Sequence, residues 1–159
     1  MTDFLNKIIE IILIFILLVL APITISYMTT EMVTQRTALN EVSQFIDRTT
    51  DKQMITKADV DDLYLALAAT GGTYDVSVER YVPISAAVNE NGKQVLKTTY
   101  ISVEDIDNIT SDTPIQLNVS DVVKVHVKEV VMSQGKKMLW AVLRLDSGEL
   151  NFSLAGSVR

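Results

Sequence analysis

The sequence predicts an α+β protein in which one long N-terminal helix packs on a small antiparallel β-sheet. Residues 8–28 are almost entirely apolar, and a helical spacing of apolar residues continues beyond them to about residue 48. From residue 73 onward the apolar period changes from 3.6 to 2, which is typical of half-buried strands. We therefore expect a transmembrane helix within 1–28 and a folded domain over 29–159, with helices at 29–48 and 56–70 and antiparallel strands within 73–158.

The composition indicates one folded domain and argues against a nucleic-acid partner. A chain of 159 residues suits a single core, because domains of about 100 to 150 residues are the commonest size. The net charge is −6; Asp3, Lys7 and Glu10 contribute −1 before residue 29, which leaves −5 for residues 29–159. A domain this acidic is unsuited to binding nucleic acid through a phosphate-neutralising basic patch.

The lack of cysteine and the single histidine restrict the possible chemistry. Without cysteine there are no disulfides, thiolate metal sites or cysteine nucleophiles. His126 alternates with Val125 and Val127, so we place it on the polar face of a strand. One histidine cannot form a multi-histidine metal site within one chain, and we expect no metal and no cofactor.

The apolar segment 8–28 has the length of a membrane helix. Its 21 residues contain Glu10 as the only charge, and at 1.5 Å per residue they span roughly 30 Å, the thickness of a bilayer's hydrocarbon core. Pro22 lies within it and should bend the helix, because its ring clashes with the carbonyl four residues earlier.

A cleaved signal peptide is the alternative interpretation of this segment. Pro22 directly follows the best cleavage candidate, Ala21, and a proline there is expected to hinder the peptidase. The helical pattern also continues past the segment, at spacings of four and three residues. Its members are Met28, Met32, Gln35, Leu39, Val42 and Ile46. We therefore expect residues 8–28 to be retained, with the N-terminus and Lys7 in the cytoplasm and the C-terminal domain exported.

This apolar stripe leaves two interpretations open. It could cover the sheet of its own domain, or it could pack against the helices of neighbouring subunits. Residues 4–48 would in either case form one helix about 65 Å long.

A second helix begins at Thr56, whose hydroxyl can cap the N–H of Asp59. Val60, Leu63, Tyr64 and Leu67 form its expected buried face, and Gly71 and Gly72 end it. Asp59 and its two acidic neighbours lie in the first turn, where negative charge complements the helix dipole, and not in a calcium-binding loop.

The remaining chain predicts strands and turns. We expect a strand from residue 74 to 83, a turn at 89–92, a strand near 94–101, a helical turn at 102–105, a hairpin of strands 122–132 and 137–145, a turn at 146–148 and a last strand at 149–158. Trp140, in the hairpin's second strand, is expected in the core.

Catalytic motifs are absent from the sequence. There is no nucleophile elbow, phosphate loop or dinucleotide-binding glycine pattern, so we expect neither an enzyme nor a small-molecule substrate. Three Asn-x-Ser/Thr sequons occur, at Asn108, Asn118 and Asn151, and they matter only where the host glycosylates exported proteins.

The chain resembles the type IV pilin superfamily, and most closely the TadE-like pilus-assembly proteins and related pseudopilins of Gram-positive bacteria. The resemblance covers most of the chain. It rests on the apolar helix with one glutamate, on ITKAD at 55–59, on ATGGTYDV at 69–76 and on LNVSDVV at 117–123. The chain departs from the family in two ways: no glycine marks a prepilin peptidase site, and Glu10 lies farther from the start than a mature pilin's glutamate.

The resemblance implies a structural subunit of a cell-surface filament or of its assembly machine. Its partners would be other copies of itself or related pilin-like subunits, and Glu10 would pair with a neighbour's N-terminus or with Lys7. The packing surface would comprise Glu10, Lys7, Pro22, Met28, Met32, Leu39, Val42 and Ile46. The alternative is a membrane-tethered module whose sheet binds a wall polymer or a protein.

Overall fold

The computed structural model describes residues 2–90, 93–105, 114–131, 136–137, 140–141 and 149–159. Its helices are α1 (Thr2–Phe15), α2 (Ala21–Lys52) and α3 (Lys57–Ala69), and its strands are β1 (Met54–Ile55), β2 (Thr73–Glu90), β3 (Lys93–Asp105), β4 (Ile115–Gln116), β5 (Val122–Val131) and β6 (Asn151–Ser157). A long apolar helix packed on a small antiparallel sheet confirms the predicted α+β class.

The N-terminal helix continues through Pro22 by way of a wider turn. A π-helical segment, Ile16–Leu20, joins α1 to α2, and the N–H of Ala21 donates to the carbonyl of Ile16. Pro22 has no N–H to donate, and in a regular α-helix its ring would crowd the carbonyl of Leu18. Such π-bulges accommodate local disturbances of the hydrogen-bond ladder, so the helix continues to Lys52.

The half of α2 that is far from α1 is buried on one side against the rest of the protein. Its buried residues recur at helical spacing: Ala38, Val42, Phe45, Ile46 and Thr49. The helix ends where Gln53 adopts a left-handed conformation with φ of 54°. We call the Lys52 end of α2 its distal end.

The predicted second helix is confirmed, including its cap. Thr56 and Asp59 form a reciprocal capping box, in which each side chain accepts a hydrogen bond from the other residue's backbone N–H. Val60, Leu63 and Leu67 are buried as expected. Tyr64 is an exception, because it is 38% exposed and its hydroxyl donates to a backbone carbonyl of β2 at 3.1 Å.

The main sheet has four antiparallel strands in the order β3-β2-β5-β6, and β1 and β4 form a small second pair. Val123, Val125 and Val127 point into the core, whereas His126 lies half-buried on the other face, as the alternation predicts. The core joins this inner face to α2 and α3.

The strand boundaries differ from the prediction at two places near β3. The first strand does not end near Pro83 but continues to Glu90, and β3 runs on through Asp105, so the helical turn predicted at 102–105 is wrong. Backbone pairing with β2 prevails over the local capping signal there, since Ser102 and Glu104 lie opposite Tyr81 and Arg80 in the strand register. Residues 91–92 of the predicted turn are outside the described residues.

The predicted second strand of the hairpin, 137–145, is also wrong where it can be assessed. Lys136, Lys137, Trp140 and Ala141 have helical backbone, and Trp140 is 59% exposed instead of lying in the core. A period of two no longer determines which side chain points inward once the backbone is helical. Residues 132–135, 138–139 and 142–148, which include the predicted turns, are outside the described residues. The last strand is confirmed as β6.

Candidate assembly surface

The first part of the helix exposes its apolar side chains. The large hydrophobic residues between Phe4 and Val19, and Ile23 and Ile25 beyond them, are all exposed. The helix from Phe4 to Lys52 is long and apolar enough to cross a membrane, and none of its most apolar window is buried by the protein. The described part of the folded domain therefore does not cover the apolar surface of this part of the helix.

Lys7 and Glu10 are the ionisable residues on this exposed part of α1. They are three residues apart, so their side chains project from neighbouring positions on one side of the helix. Both are exposed. A carboxylate at this position faces lipid or a neighbouring chain once the helix enters a membrane.

The predicted stripe divides into a buried and an exposed half. Val42 and Ile46 are buried against the domain, whereas Met28, Met32 and Leu39 are 47%, 56% and 36% exposed. The interpretation that the stripe covers its own domain therefore holds for one half of the stripe only. The distal half covers the sheet, and the other half leaves apolar side chains exposed by the described part of the chain.

A close contact with β6 explains why the distal half is covered. A Cβ atom added to Gly156 would lie 2.3 Å from Cγ2 of Ile46, a distance that side chains cannot tolerate. The absence of a side chain at Gly156 thus lets β6 approach α2 closely. Ile46 and the neighbouring Val158 are buried as a result.

Nearer to α1, the helix is attached to the domain by a buried charge. Lys136 is 1% exposed; its ammonium group pairs with Glu129 of β5 and lies 3.0 Å from Oε1 of Glu31 on α2. Glu129 also accepts the N–H of Leu150 at 3.1 Å. Burial alone would lower the pKa of Lys136, but the two carboxylates outweigh it and raise that pKa above its usual value.

The sequence contained a signal for this cluster that the prediction did not use. Glu129 continues the inward-facing alternation of Val123, Val125 and Val127, so a carboxylate should point into the core. A buried carboxylate requires a cation. The sequence does not show which cation serves, because Lys136 lies between the two predicted strands of the hairpin.

Two other buried carboxylates stabilise the domain. Asp59 lies 3.0 Å from Nζ of Lys52, and Asp121 lies 2.8 Å from Nη2 of Arg80 and accepts the N–H of Asn118. Burial raises the pKa of Asp59, but hydrogen bonds from Thr56 and Lys52 outweigh that effect and lower it. These ion pairs join separate elements of the fold, and they account for the burial of both carboxylates without a ligand.

No metal site is evident in the described part of the chain, and the hollows on its surface differ in size. There, no group of three or more histidine or acidic side chains is arranged to hold a metal ion. A hollow of about 170 Å³ beside α2 is lined partly by Glu31 and Glu129, which already bind Lys136. Two larger hollows, of about 390 Å³ beside α3 and of about 570 Å³ between the distal end of α2 and β6, have volumes within the range of ligand pockets.

Two of the three sequons lie on exposed positions. Asn118 is in the turn before β5, and Asn151 begins β6. Asn108 is outside the described residues.

Comparison with known proteins gives no relative for the chain: no family model, no curated protein and no solved structure matches it. Its function must therefore be inferred from the fold and from the exposed surface of the long helix.

Proposed function

We propose that the chain is a membrane-anchored structural subunit, pilin-like or TadE-like, of a cell-surface filament or of its assembly machine. It packs through the helix formed by residues 4–48, and its C-terminal domain is exported. Its partners are other copies of itself or related subunits. It has no catalytic role.

The observation that supports this proposal is the exposed half of the stripe. Met32 and Leu39 continue the stripe from Met28, the last residue of the apolar segment, and they stay exposed beyond the length that a bilayer would accommodate. A helix that serves only as a tether has no need of apolar side chains outside the membrane. Exposed apolar residues that form a continuous patch mark an interaction site.

A second candidate is a membrane-tethered module that binds a wall polymer or a protein. It is favoured by one observation: β2 and β3 extend well past the other strands and expose apolar side chains on a two-stranded ribbon. In that function the stripe on α2 would not be needed for binding.

Fractionation of cells that express the full chain tests the two functions. A filament subunit should be recovered in sheared, high-mass material, whereas a tethered module should be found only in detergent-extracted membranes. Met32→Glu should abolish the high-mass material if the stripe packs against another helix, because a charge would be buried in the contact.

Thr37→Glu is the matched control. Thr37 is exposed and lies on another side of α2. The glutamate in this variant therefore adds the same charge to the helix but away from the stripe. Equal high-mass yield from both variants would contradict a role for the stripe in assembly.

A further inference from the structure

The ends of β2 and β3 form a two-stranded ribbon that leaves the sheet. β2 pairs with β5 only from Thr73 to Tyr81, whereas its pairing with β3 continues to Glu90. Among the described residues, 82–90 and 93–101 therefore have a strand on one side only, and we call them the distal ribbon. It is roughly 30 Å long at about 3.3 Å per residue. A two-stranded hairpin is marginally stable in water unless it packs on something.

One face of the distal ribbon continues the inner face of the sheet. Val76 and Val78 point into the core, and the same alternation places Val82, Ile84, Ala86 and Val88 on that side. On β3, Val95 and Ile101 are opposite Val88 and Val82 and so share this face. Ile84, Val88, Val95 and Ile101 are all exposed.

The inner face of the main sheet packs against helices of the same chain. The inner-facing residues of β2, β5 and β6 pack on α2 and α3. The distal ribbon presents the same kind of face where the described part of its own chain supplies no helix to cover it. The continuity of this face with the core indicates a helix as its occupant.

The ribbon and the exposed stripe lie at opposite ends of the domain. Tyr74, near the start of β2, lines the same hollow as Tyr27 and Glu31 of α2. Gly156, which contacts Ile46 near the distal end of α2, pairs with Val123, which pairs in turn with Arg80. β2 thus runs toward the distal end of α2, and the distal ribbon continues past it.

The dimensions of the two surfaces agree. The stripe from Met28 to Leu39 is about 16 Å long at 1.5 Å per residue, and the ribbon face from Val82 to Val88 is about 20 Å long at 3.3 Å per residue. We propose that the inner face of the distal ribbon docks on the exposed stripe of α2 in a second copy of this chain.

This contact makes the assembly head-to-tail and open-ended. A surface at one end of the first copy binds a different surface at the opposite end of the second, so each added copy leaves one of each surface available. Two copies anchored side by side in one membrane hold their stripes at equal height, below the reach of either ribbon. The contact therefore forms between copies that are displaced along the axis of α2. The proposal of this contact rests on the proposed filament function.

The absence of cysteine permits a direct test on the full-length chain. In the double variant Ala86→Cys with Met32→Cys, the two thiols lie at the midpoints of the ribbon face and the stripe, so they meet whichever direction the strands run. Oxidation of the sheared fraction should give a ladder of disulfide-linked multimers, because a disulfide requires Cβ atoms about 4 Å apart.

The matched control is Ala87→Cys with Met32→Cys. Ala87 is the next residue along β2, and its side chain points to the opposite face of the ribbon. It should give monomers under the same oxidation. A ladder of equal yield from the control, or dimers from Ala86→Cys alone, would overturn the proposal, since the second result means that ribbons pair with each other.

The same experiment separates this inference from the proposed function. Filaments without a ladder would overturn the ribbon contact and leave the filament function standing. If no filaments and no ladder form, both proposals fail. A ladder that forms only in membrane extracts and not in sheared material would also overturn the displaced arrangement.

Discussion

The ammonium nitrogen of Lys136 lies 3.0 Å from a carboxylate oxygen of Glu31, which joins α2 to a segment that follows β5. Lys136 also pairs with Glu129 of β5, so one buried cation holds two carboxylates from separate elements. This cluster fixes the direction in which α2 leaves the domain. Any assembly through the exposed side of α2 depends on that direction.

We predict that Lys136→Met lowers the free energy of unfolding by about 3 to 5 kcal/mol, because it leaves buried carboxylates without their cation. Urea denaturation followed by circular dichroism measures the change. Lys137→Met is the control, since Lys137 is the adjacent residue and is exposed. Equal stability of the two variants would show that the cluster contributes nothing to the fold.

We predict that the protein loses stability at alkaline pH through the same group. The folded-state pKa of Lys136 is raised, so its contribution is fully present below the unfolded value of about 10.4 and is lost as the pH rises through the folded pKa. Urea midpoints of the wild-type protein should stay level from pH 8 to about 10 and fall only above the unfolded value of about 10.4. The fall should be smaller in Lys136→Met, and an identical slope in both proteins would contradict the assignment.

We predict that Gly156→Ala destabilises the protein by about 1 to 3 kcal/mol, the range for overpacking a filled core. The new methyl group would meet Cγ2 of Ile46 at 2.3 Å. Ile46→Ala removes that atom, so the double variant should be more stable than the sum of the two single effects predicts. Ser157→Ala, on the exposed face of β6, serves as the control.

The sequence predicted the elements whose periodicity is long and regular. The N-terminal helix, the capped helix at Thr56 and the alternating valines of β5 are all observed. It also predicted that Val42 and Ile46 belong to a stripe. Which half of the stripe is covered could not be predicted, because that depends on how closely β6 approaches α2 at Gly156.

The errors fall where short local signals compete with tertiary contacts. Ser102 and the acidic residues after it match a helix cap, yet β3 continues there because β2 offers a pairing partner. The hydrophobicity of Trp140 and the strand predicted around it place this residue in the core, whereas its backbone is helical and its side chain is exposed. The extension of β2 from Pro83 to Glu90 is not predicted either, since a proline favours a strand end. Pro83 fits in β2 because, among the described residues, this part of the strand pairs with β3 alone.

The last prediction concerns Glu10, which lies on the exposed apolar part of α1. A carboxylate near the centre of a bilayer costs on the order of 2.5 to 3.5 kcal/mol, and less toward the end of a span. If Glu10 only reaches the interface, removing its charge leaves assembly unchanged. If it pairs with a neighbour's positive N-terminus or with Lys7, the charge is required for incorporation of the subunit.

Glu10→Gln and Glu10→Leu distinguish these two roles, because both remove the charge while leucine also improves insertion. We expect each variant to reach the membrane at the wild-type level and to be depleted from the sheared, high-mass fraction, as measured by quantitative blotting of both fractions. The folded domain should be unaffected, since Glu10 lies far along the helix from the buried residues that begin at Ala38. Undiminished assembly of both variants would defeat the pairing role, whereas loss only in Glu10→Leu would indicate that polarity, not charge, matters at this position.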